Sequence, residues 1–276
     1  MQKIIRFSKE MTRRIGEADV MGLSAQLAYF FLLSLFPFLL FLVTLLGFLP
    51  IQVDEFLDSI GTYLPEEVVV MIESNLTNLV NTRSGGLLSV SILGTIWSAS
   101  NAFNAIAKSF NKAYQIEEER SFIKNRLVAF VLMFVLIIVV AVALLLSVFG
   151  KLIGEKLFGL IGLHSLADIW DLVRLSASSL TFFVAFVILY KFAPNRKIKV
   201  TYVVWGALFT TILWQIASLG FSFYVNTLGN YSATYGSLGT VIILMIWFYL
   251  SGIIINTGGV LNAYILDMKE NKYEVK

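Results

Sequence analysis

The chain has 276 residues but no cysteine, one histidine and four prolines, and only 14% of its residues are charged. Without cysteine there are no disulfides, thiolate nucleophiles or sulfur-ligated metals. A lone His164 cannot build a histidine metal cluster, which needs several converging ligands. The sequence has no GxxxxGK[ST] run to cradle phosphates, no HExxH to hold zinc and no GxSxG elbow to present a serine. The expected catalytic, cofactor-binding and metal-binding residues are therefore none. The charge content also falls well below the roughly one quarter usual in soluble domains.

What the chain has instead is apolar sequence: 58% of residues, with a mean hydropathy of +0.80. These residues are gathered into six long runs, at 27–50, 87–106, 127–148, 170–190, 203–225 and 238–266. A hydrocarbon layer of about 30 Å needs about 20 mainly apolar residues per helix, and the backbone must be satisfied inside each span. The expected fold is all-α, a single polytopic membrane domain over residues 1–276 with six transmembrane helices. The second run is the weakest, because Ser89, Ser91, Ser98, Ser100, Asn101 and Asn104 interrupt it. The first is too long and too aromatic for a cleaved signal peptide, so it should remain as a helix.

Charge sets the orientation. Basic residues cluster in Lys3 to Arg14, Lys108 to Arg126, Lys191 to Lys199 and Lys269 to Lys276, while the alternate loops hold only Arg83, Lys151 and Lys156, with Arg174 just inside the fourth run. Positive residues stay with the cytoplasm, which places both termini inside. The pI of about 9.0 follows from those loops, so no nucleic-acid partner is expected.

Residues 1–22 read as an amphipathic helix, with Ile4, Phe7, Met11, Ile15 and Ala18 on one face, suited to lie in the membrane interface. Between the first two spans, residues 51–84 read as an outer helical hairpin: Pro65 with Glu66 and Glu67 makes a helix start, and Val69, Ile72, Leu76 and Leu79 recur on one face. Residues 150–169 carry four glycines among apolar residues and suggest short interfacial helix.

The interiors of the spans carry no Asp or Glu, the usual instrument of proton-coupled transport. Asp171 and Arg174, at i, i+3 spacing, suit an outer-rim ion pair. Pro37 should kink the first span. Uncharged polar stripes remain: Trp97, Asn101, Asn104 and Lys108 on the second helix; Thr211, Gln215, Ser218, Ser222 and Asn226 on the fifth; Tyr249, Gly252, Asn256, Gly259 and Ala263 on the sixth. Such groups turn inward, either to bond another helix or to line a cavity. The candidate cavity-lining residues are Asn101, Asn104, Gln215, Ser218, Asn226 and Asn256, rimmed by Tyr231 and Tyr235 of GNYSATYGS.

Several strings together resemble the YihY/virulence factor BrkB family of bacterial membrane proteins: LAYFFLLSLFPFLLFLVTLLGF, WSASNAFNAIAKSFNKAY leading into EEERSF, YKFAPNRKIK, and GNYSATYGSLGTVIILMIWFYLSG. The resemblance covers most of the chain in the same order. It implies a bacterial plasma (inner) membrane location and links to envelope physiology. The family's final stretch usually reads like GAELNA, and Val260 stands where that glutamate would be, which puts any role depending on that carboxylate in doubt here. A ribonuclease label has travelled with the family, but cleaving RNA with metals requires His and carboxylate clusters on a wet basic surface, and the sequence offers none.

The function these readings favour is a transporter or flippase-like protein for a lipid or other amphiphile, with membrane lipids as partners. A non-transporting envelope scaffold and a small-solute channel or exporter are the alternatives. The sequence leaves a homo-oligomer open.

Overall fold

A computed structural model of the chain describes residues 2–46, 85–117, 120–121, 123–135, 138–139, 142, 167–228 and 237–274, and among these there are helices and no strand. The helices are α1 (Gln2–Glu17), α2 (Val20–Leu46), α3 (Gly85–Ala113), α4 (123–135), α5 (Ala167–Phe192), α6 (Val200–Leu228) and α7 (Ser237–Glu274). The described residues of each of the six apolar runs are helical, while 47–50 of the first run and 136–137, 140–141 and 143–148 of the third lie outside the described residues. By length and hydropathy, three are fit to cross a membrane: α5 over Leu175–Phe192, α6 over Val200–Val225 and α7 over Val241–Glu270. The pair α1–α2 makes a fourth if it is one bent span. The predicted hairpin at 51–84 lies outside the described residues, as do His164, Tyr231 and Tyr235.

The helix expected over residues 1–22 is two pieces. After Glu17 the backbone turns, with Asp19 in the left-handed region at φ 53°, and α2 leaves α1 at 51°. Aspartate is among the few residues that take this conformation readily. Ala18 and Val20 flank it, both buried, so the bend is packed rather than frayed.

The chain's contacts form two compact units, Met1–Tyr29 with Ser100–Lys276, and Phe30–Ala99. In the smaller unit α2 stays helical on both sides of Pro37, and a Cβ on Gly94 of α3 would stand 3.2 Å from the Pro37 Cβ. Glycine is what lets the two helices approach there.

In the larger unit α6 packs on both α5 and α7, and α1 lies on α7. Thirty-eight residues make α7 about 57 Å long at about 1.5 Å per residue, well beyond a hydrocarbon layer of about 30 Å. Its last turns gather the basic segments. Arg14 of α1 pairs with Asp267 at 2.6 Å, Arg196 with Glu270 at 2.9 Å, and the Lys269 ammonium lies 5.2 Å from the Tyr202 ring centroid. α3 ends with the Ile116 amide bonded to the Asn111 carbonyl and Gln115 left-handed, the hydrogen-bond pattern of a Schellman cap. The Asn111 side chain then accepts from the Asn195 amide, and the Arg120 guanidinium donates to the carbonyls of Ala193 and Pro194 beyond α5. A cation there also suits the negative end of the α5 dipole.

Candidate functional site

At the centre of the larger unit the wholly buried Tyr190 of α5 joins three helices. Its hydroxyl donates to the Ile255 carbonyl of α7 at 2.8 Å and lies 2.5 Å from Thr210 Oγ1 of α6. A phenol has one proton, so Thr210 is the donor of the second bond. Around it the helices meet through glycine. A Cβ on Gly258 would collide with Thr210 Oγ1 and the Tyr190 hydroxyl, and one on Gly206 with the Asn262 amide and the Gly258 carbonyl. A Cβ on Gly259 would stand 2.5 Å from the Phe110 ring of α3, which itself packs 5.2 Å from the Tyr190 ring. The Gly206 amide donates to Asn262 Oδ1 at 2.7 Å. Such contacts replace the hydrophobic driving force, which lipid does not supply between helices.

A second bond ties α7 to α2. Asn256 Nδ2 donates to Ser24 Oγ at 2.9 Å, with both residues wholly buried, and Gly252, one turn away, presses against Ser24 and Leu27. Asn256 Oδ1, Asn262 Nδ2, Ser109 Oγ and the Tyr114 hydroxyl are buried with no hydrogen-bond partner among the described residues. Burial raises the Tyr114 hydroxyl above the ordinary tyrosine value. Val260 is sealed in the same core.

The other half of these helices is different. No residue is buried over 175–184 of α5, 212–225 of α6 or 241–250 of α7, whereas 185–190, 203–211 and 251–266 hold most of the buried residues of those helices. In the looser half Gln215 Nε2 donates to Ser179 Oγ at 2.9 Å. Trp214 contacts Phe182 and Trp247, with ring centroids 4.8 and 5.6 Å apart, and Phe221 lies 5.2 Å from Trp247.

Of the predicted lining residues, Asn256 and Gln215 bond to different helices, α2 and α5, and Ser218 bonds back to the Trp214 carbonyl of its own helix at 2.7 Å. Asn101 and Asn104 are half-buried, on the face of α3 that also carries the exposed Trp97 and Lys108. Asn226 lies on α6 and Asp171 and Arg174 on α5, but their side chains are outside the described residues. The Tyr190–Thr210 bond and the Gly206–Asn262 bond were not anticipated. The available signal was small residues at four-residue spacing, Gly206 with Thr210 on α6 and Gly258 with Asn262 on α7. Among the described residues no three His, Cys, Asp or Glu come together to hold a metal.

The sequence profile of the family described as Virulence factor BrkB matches residues 11–275. The ribonuclease-like protein YfkH of Bacillus subtilis is 47% identical over 97% of this chain and 99% of its own length. A UPF0761 membrane protein of Tolumonas auensis is 28% identical over 97% of the chain and 87% of its own length, and another from Alkalilimnicola ehrlichii is 26% identical over 85% and 52%. No solved structure matches the chain. A match over nearly the whole length, on helices that expose apolar side chains as large as Trp205, Ile216, Leu219 and Phe223, makes this chain a membrane protein of the virulence factor BrkB family.

Proposed function

We propose that the protein is a transporter or flippase-like protein for a lipid or other amphiphile, in a bacterial plasma membrane, with six spans and both termini in the cytoplasm. One observation carries this reading. The ends of α5, α6 and α7 that join the basic segments are closed by buried glycines and hydrogen bonds, while residues 175–184, 212–225 and 241–250 toward the opposite ends hold no buried residue, Gly239 at the start of α7 being buried. A bundle closed on the basic side and loose on the other has the form of an outward-facing carrier. Gln215, Ser179 and Ser218 supply hydrogen-bonding groups there beside Trp214, Trp247 and Phe221, an amphipathic lining suited to an amphiphile. The scaffold reading is favoured by the two interhelical bonds, Gln215–Ser179 and Asn256–Ser24, which also serve a static bundle.

The test is flipping of short-chain fluorescent phosphatidylglycerol and phosphatidylethanolamine in proteoliposomes. Gln215→Leu should abolish acceleration by the protein while leaving it folded, since an interhelical hydrogen bond averages only about 0.6 kcal/mol. Folded wild-type protein that accelerates neither lipid would overturn the proposal in favour of the scaffold.

A further inference from the structure

The first half of α1 is left uncovered. Residues 5 to 9 are all exposed, including Ile5 at 61% and Phe7 at 40%, whereas Met11, Arg14 and Ile15 are partly buried and Ala18 is fully so. The second half is held down: Arg14 pairs with Asp267 and lies 5.3 Å from the Tyr264 ring centroid. Phe7 meets the same tyrosine edge-on, with centroids 5.4 Å apart, and marks where the contact ends. Both acids of α1 are neutralised, Glu10 by Arg13 and Arg14 and Glu17 by Arg13. Arg6 and Lys9 have no acidic partner among the described residues.

We propose that this free half of α1 binds the anionic headgroup layer of the leaflet on the basic side, with Ile5 at the acyl boundary and Arg6 and Lys9 on lipid phosphates. Ile5 and Lys9 are one turn apart and share a face, with Arg6 beside them. A helix with apolar and basic residues mixed on its open side has its free-energy minimum in the interface, where both are solvated. The partner is on hand: α1 leaves the apolar α2 at 51°, so it emerges at the surface of the membrane that α2 enters. Docking on α7 through Arg14 and lipid binding through residues 5 to 9 use different parts of the helix and are compatible.

The cysteine-free chain makes the test direct. Ile5→Cys, labelled with an environment-sensitive dye, is placed in nanodiscs of phosphatidylcholine with or without phosphatidylglycerol, with nitroxide-bearing lipid as quencher. Blue-shifted, lipid-quenched emission is expected with phosphatidylglycerol. Arg6→Gln with Lys9→Gln should reduce the inserted-to-free ratio about thirtyfold, from about 1 kcal/mol per basic residue near an anionic surface. These residues are exposed, so an unchanged melting temperature confirms that the variant is folded. Equal quenching in both lipids, or none, would overturn the proposal. A blue shift without lipid quenching would also overturn it, by showing that protein covers the site. The readout is position, not transport, so it fails independently of the proposed function.

Discussion

Gly258→Ala is the sharpest probe of the closed half of the bundle. The added methyl would collide with Tyr190 and Thr210, and neither can withdraw freely: Tyr190 is wholly buried and its hydroxyl already serves Thr210 and the Ile255 carbonyl. Forcing one extra carbon into a packed core costs about 1 to 3 kcal/mol. Losing both hydrogen bonds adds about 0.6 kcal/mol each, for about 2 to 4 kcal/mol in all. Helix propensity works the other way, since alanine is better than glycine by up to about 1 kcal/mol. Gly220→Ala isolates that opposing effect, because nothing lies within 4 Å of a Cβ there. Thermal unfolding in detergent should place Gly258→Ala well below wild type and Gly220→Ala at or above it. Adding Tyr190→Phe to Gly258→Ala should recover part of the loss, because it removes one of the colliding atoms. Equal melting of Gly258→Ala and Gly220→Ala would show that the crossing is not tight and would sink the argument for a closed half on the basic side.

Glu10 is held at a pKa of about 2, against an ordinary 4.5, first by its hydrogen bond from Arg13 and then by that from Arg14. The folded pKa is depressed, so its support of α1 is present above pH 4.5 and fades as pH falls from there toward 2; Glu10→Gln should remove this acid limb from the labelling rate of a cysteine at Met11. Cysteines at Asn75 and Lys199 should label from opposite sides of the membrane, and labelling of both from the cytoplasm would refute the six-span topology. Purified protein should not cleave RNA; cleavage lost in a folded point variant would reveal a site that one histidine and no cysteine do not foreshadow.

The helices were legible because lipid imposes a length, and the described residues of each long apolar run are helical. The break at Ala18 and Asp19 was not, because the apolar spacing Phe7, Met11, Ile15, Ala18 continues to the turn and only the backbone conformation of Asp19 ends it. The polar stripes were visible as periodicity, yet periodicity names no partner. Asn256 bonds Ser24, distant in sequence, and nothing local distinguishes that bond from a cavity lining. Tyr190 was hidden for a different reason. A tyrosine followed by Lys191 at the end of an apolar run looks like an interface anchor, and only its neighbours Thr210 and Gly258 show that it points inward. The clasp of Arg120 on the carbonyls of Ala193 and Pro194 was equally silent, since a basic loop residue is expected there for topology alone.

The distribution of glycine explains why one bundle has two characters along its axis. Apolar area does not hold helices together in lipid, so association depends on backbones close enough for dispersion and hydrogen bonds. Gly206, Gly252, Gly258 and Gly259 supply that closeness at one end, and each sits where a methyl would collide with or press on a neighbouring helix. At the other end Gly220 faces open space, and the helices there carry Gln215, Ser218 and tryptophans on incompletely buried faces. The tight end therefore resists separation, while the loose end can part at the cost of weak polar contacts such as Gln215–Ser179. Asn256 is near the boundary between the two halves, fixed to Ser24 through its amide nitrogen and leaving its oxygen without a partner among the described residues. An amide oxygen so placed is an acceptor that the described residues leave unused.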